Sequence, residues 1–71
     1  MARTDLIKAN ISKYKADMDK AIANVHTYMH NSVGIGEHPD LVEAVHEQIT
    51  AYADAKELLD SANEILEWFE D

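Results

Sequence analysis

Val33-Gly34-Ile35-Gly36-Glu37-His38-Pro39 holds both glycines and the only proline of a 71-residue chain. Glycine and proline interrupt regular structure more strongly than any other residues, so 33–39 marks a single turn. Upstream, from Thr4 to Ser32, neither occurs, and apolar side chains recur at Ile7, Ile11, Tyr14, Met18, Ala21, Val25 and Tyr28. The spacing alternates between four and three, which is an uninterrupted heptad seam. Downstream the same alternation runs through Leu41, Val45, Gln48, Tyr52, Ala55, Leu59, Ala62, Leu66 and Phe69, with Gln48 its one polar member. No useful window alternates with period two, so no strand is expected. The chain therefore reads as one all-α domain: a helix over about 4–32, a turn over 33–39 and a helix over about 40–70. So short a connection makes the two helices antiparallel neighbours, an αα-hairpin.

The helix ends carry their own signals. Thr4 is a candidate N-cap, with Asp5 placed near the positive end of the helix dipole. Gly34 suits the left-handed residue that closes the first helix, and Ile35 can supply the accompanying apolar contact. The second helix has two possible starts. His38 can cap with Pro39 at the first helical position, or Asp40 can cap with Glu43 three residues on.

Composition excludes several classes of function. With no Cys, disulfides and thiolate metal sites are ruled out. A formal charge of −8 argues against nucleic-acid binding, which needs a basic face. An apolar fraction of 46% is too high for a disordered acidic tail. No apolar run is long enough to span a membrane, and Met1-Ala2-Arg3-Thr4-Asp5 lacks the apolar core of a signal peptide, so a cytoplasmic protein is expected. The charge divides sharply at the turn. Residues 1–33 carry five cations against three acids, net +2, whereas residues 34–71 carry Lys56 against eleven acids, net −10. A basic arm beside an acidic arm favours the hairpin and sets its orientation, although exposed ion pairs contribute only about 0–1 kcal/mol each.

With the seam positions labelled a and d, residue i of the first helix lies level with residue 71 − i of the second. On the e side the level pairs are Ile22 with Ile49 and Met29 with Val42, an apolar strip close to the turn. On the g side the first helix is polar (Asn10, Asp17, Asn24 and Asn31), but the second offers Ala44, Ala51, Leu58 and Ile65. Leu6 and Trp68 extend that side towards the open end. Two helices cannot cover both strips with each other alone. A chain this short is also near the limit at which one core outweighs chain entropy. A second copy packed against the e-side strip, giving a homodimeric four-helix bundle, buries it most simply. A monomer whose flanks merely thicken the core is the competing reading.

Four histidines hint at a site. His26 and His30, at i and i+4, present two imidazoles on one helix face and can chelate Zn²⁺. Glu43 and His46 form the Glu-x-x-His spacing of bundle di-iron sites. All four, however, sit off the seam, and no seam position of the first helix carries Glu, so neither metal nor cofactor is expected. Solvated histidines on the rim of an interface are the plainer reading, with weaker association near pH 6 as its consequence. Ser12, Ser32 and Ser61 lie in no nucleophile motif, and Gly34-x-Gly36 follows no strand, so no catalytic residue is assigned and no enzyme is expected.

The acidic face of the second helix reads either as a solvated surface or as a site for a basic host protein, including mimicry of nucleic-acid phosphate. Phe69 belongs to the seam and is expected in the core. Trp68 lies outside it, either as an anchor into a partner or packed on Leu6 and Ile65.

The segment Asn31-Ser32-Val33-Gly34-Ile35-Gly36-Glu37-His38-Pro39-Asp40, followed by a helix through Ala53-Asp54-Ala55-Lys56, resembles small uncharacterised proteins of tailed phages, those of marine, cyanobacteria-infecting myoviruses above all. The resemblance implies a viral origin and action in a host cytoplasm or virion. It brings no assigned activity, catalytic residue or cofactor. It draws attention to Glu37 and His38, which are more than a helix C-cap requires.

Overall fold

The computed structural model describes residues 2–30 and 40–70, and within them the chain is two helices, α1 (Arg3–His30) and α2 (Leu41–Phe69). At about 1.5 Å per residue, their 28 and 29 residues make rods of roughly 42–44 Å. They pack along their length as an antiparallel hairpin, 54 × 18 × 14 Å overall. The fold is the expected all-α hairpin. The turn residues Gly34, Gly36, Glu37 and His38, and with them the proposed Gly34 C-cap, lie outside the described residues.

Every a and d residue of α1 from Ile7 to Tyr28 is buried or half-buried, as is every one of α2 from Leu41 to Leu66. The register agrees with the expected one to within a residue. Asn24 was to lie level with residue 47, and its Nδ2 donates to Gln48 Oε1 at 3.0 Å. Arg3 was to lie level with residue 68, and its guanidinium sits 5.9 Å from the ring centroid of Phe69.

Two expectations at the helix ends are corrected. Thr4 does not cap α1, which begins one residue earlier. Asp5 reaches back instead, accepting from the Ala2 backbone N–H at 3.1 Å, while Ala2 C=O accepts from the Asp5 N–H at 2.9 Å. Thr4 is three residues before Ile7, which makes it a seam position, and it is half-buried there. Phe69 is not core: it is 53% exposed. Its level partner is the first residue of α1, so beyond Arg3 no facing helix remains to cover the ring. The choice left open at the start of α2 falls to Asp40, whose Oδ1 accepts from the Glu43 N–H at 2.9 Å. This satisfies one of the four N–H groups that a helix start leaves orphaned. At the other end Glu70 turns to extended backbone, and its N–H closes the helix on Leu66 C=O at 3.1 Å.

The charge split does not operate through ion pairs across the seam. Among the described residues the one salt bridge, Lys13–Asp17 at 3.8 Å, lies within α1. The positions explain this. The acids of α2 fall at b, c and f, which point outward, and on the e side Lys15 of α1 lies level with Lys56. A neutral amide pair, Asn24 with Gln48, makes the polar link between the helices instead, and it is partly buried. Polar seam residues of this kind fix register at some cost in stability. Gln48→Leu is therefore expected to raise the melting midpoint while broadening the distribution of masses in sedimentation. A sharper single species would contradict that role.

The interior is slight. Among the described residues only Ile11, Ala21, Ala55 and Ala62 are buried, and no large side chain is fully enclosed. The radius of gyration is 16.1 Å, where a compact chain of this length has about 11 Å. The accessible surface is 5553 Å², against about 4,450 Å² for a typical folded monomer of 8.0 kDa, an excess of roughly 1,100 Å².

Candidate functional site

The e side of the hairpin carries the apolar strip that the heptads place there. Ile22 is 54% exposed, Met29 70%, Val42 83% and Ile49 57%. These four lie along two joined grooves. One, of about 470 Å³, runs between Ile22, Val25 and Met29 of α1 and Ile49 and Tyr52 of α2. The next, of about 560 Å³, continues towards the turn between Tyr28, Met29, Leu41, Val42 and Val45. Met29 and Ile49 line both, so the surface is a single trough about as long as the turn-proximal half of the hairpin.

Val25, Val45 and Tyr52 were assigned to the seam alone. They also form the floor of this trough. Each is an a position, next to e on the helical wheel, so its outer edge remains visible from the e side while its body packs across the seam. That adjacency is the signal from which they could have been named.

The histidines border the trough. His26 and His30 line its first part, with ring centroids 4.2 Å apart and planes inclined at 38°. His46 lines the second part. Glu43 does not line either groove; its backbone N–H is held by Asp40. Among the described residues no three His, Asp or Glu side chains gather closely enough to hold a metal ion, so His26, His30, Glu43 and His46 do not form one centre within the chain. Among the described residues that line the trough are three imidazoles and no carboxylate.

Comparison with family models, curated proteins and solved structures finds no match for this chain. Function therefore has to be argued from the surfaces themselves. None of the described helices is long and apolar enough to cross a membrane.

Trp68 is 68% exposed, and Leu6, Leu58 and Ile65 are exposed with it. Packing on Leu6 and Ile65 thus leaves most of the indole in water. Leu58 belongs to grooves on the opposite face from the trough, one with Asp17, Asn24 and Ala51 and one with Asp54, Glu57 and Ser61. The two apolar surfaces share neither face nor end of the hairpin.

Proposed function

We propose that the chain is a small non-enzymatic interaction protein whose hairpin pairs with a second copy through the Ile22, Met29, Val42 and Ile49 trough, giving a four-helix bundle. The observation that carries this reading is the surface the chain leaves in water. The excess of roughly 1,100 Å² over a typical monomer is comparable with the ~800 Å² that each partner contributes to a standard protein–protein interface. The strip lies on one face, so a two-fold axis through it sets the same residues of both copies against one another and closes the assembly. Both helices of each hairpin then gain a second neighbour, which is what such wide apolar stripes require.

The alternative of a nucleic-acid mimic has less support, because the acids of α2 lie around the outside of the helix while the apolar trough is free of them.

Sedimentation equilibrium tests the proposal: twice the 8.0 kDa chain mass is expected, and a single chain mass at all concentrations overturns it.

A further inference from the structure

A dimer closed through the trough leaves the opposite face of the hairpin uncovered. On that face Leu58, Ile65 and Trp68 follow one another at spacings of seven and three, a stripe along the outer half of α2, and all are exposed. Glu57 and Glu64 run beside it, each four residues before a member of the same face (Ser61 and Trp68), so carboxylates and apolar groups form adjacent rows. The groove at Leu58 already shows this composition, with Asp54, Glu57 and Ser61 as its other walls. Lys13, the cation of α1 level with Leu58, is engaged by Asp17 at 3.8 Å, and Lys20, the other cation on this side, lines the groove that Leu58 shares with two carboxylates, Asp17 and Asp54.

We infer that this stripe is a second docking surface, built for a basic amphipathic helix: apolar side chains at helical spacing to meet Leu58, Ile65 and Trp68, with Lys or Arg along one edge to meet Glu57 and Glu64. Charge selects this occupant over a second copy. A two-fold contact through the stripe sets two rows of Glu against each other, which is repulsive. A contact between the stripe of one copy and the trough of another does not close and would propagate as a filament. An oppositely charged helix meets neither obstacle and uses the familiar helix-in-groove mode of recognition. Trp68 is its natural anchor, since indoles dominate such contacts.

Trp68 is also the only tryptophan, so its fluorescence reports on this face alone. The probe is a synthetic amphipathic peptide of Leu and Lys with Leu at helical spacing; the control has Glu in place of Lys. The Leu/Lys peptide is expected to shift the emission of Trp68 to the blue and to bind at least about tenfold more tightly than the control, with the preference lost at high salt. The double variant Glu57→Lys/Glu64→Lys, altered at exposed positions, is expected to lose the response. The inference is overturned by equal binding of both peptides, by a response that survives the double variant, or by dissociation of the dimer by peptide with no change at Trp68, which would place the peptide in the trough. Sedimentation of the same samples separates the two proposals. A dimer that ignores the peptide refutes only the second surface, and a monomer that binds it refutes only the dimer.

Discussion

Ile49→Asp is expected to reduce the protein in solution to single chains of 8.0 kDa and to remove most of its helical circular dichroism at concentrations where the unaltered chain is folded. Ile49 lines both parts of the trough, and it is level with Ile22 on the facing helix. Burying one such side chain contributes about 1.5–3 kcal/mol, and a two-fold interface loses it twice, so association weakens by roughly a hundredfold to ten-thousandfold. The carboxylate left facing an apolar partner adds to the loss. Ile49 is 57% exposed within one hairpin, so the substitution disturbs little inside a lone chain. Leu58→Asp, similarly exposed but on the other face, is expected to leave the dimer mass in place. If the two variants sediment alike, the contact does not lie in the trough.

The second large effect is at Ala21, which is 2% exposed. It borders grooves on both faces of the hairpin, so it sits in the seam between them, with the facing helix packed over it. Ala21→Leu forces a branched side chain into that contact. Overpacking of this kind costs about 1–3 kcal/mol, and each kcal/mol lowers the melting midpoint of a domain this size by roughly 4–8 °C. Ala53→Leu, on the exposed surface of α2, is the matched control and is expected to change stability by no more than about 0.5 kcal/mol. Equal tolerance of Leu at both positions would mean that the helices can separate freely, and that the alanine seam does not set their distance.

The seam was legible because a 4-3 spacing admits only one buried face, and the turn position then fixes which residues lie level. The same reasoning places the trough on the e side, with His26 and His46 at its border. It failed where a second influence competes with periodicity. Thr4 has the chemistry of a cap, yet its heptad position places it on the seam, and Asp5 takes over part of the capping. Phe69 has the periodicity of a core residue, but the facing helix runs out at Arg3. Net charge suggested pairing between the arms, whereas pairing depends on which heptad positions carry the charges, and the acids of α2 avoid e and g. The Asn24–Gln48 hydrogen bond could have been named, to within a residue, by applying the level rule to Gln48, the one polar member of the second helix's seam.

We propose that this chain folds by associating, because one isoleucine and three alanines, the side chains buried among the described residues, are too little interior for one hairpin. Thermal unfolding followed by circular dichroism over about a hundredfold range of protein concentration tests it most directly, since a structure that exists only as an oligomer gains stability by mass action. A midpoint that climbs steadily with concentration is expected. A cooperative transition whose midpoint stays the same from the most dilute sample to the most concentrated would mean that the lone hairpin folds by itself.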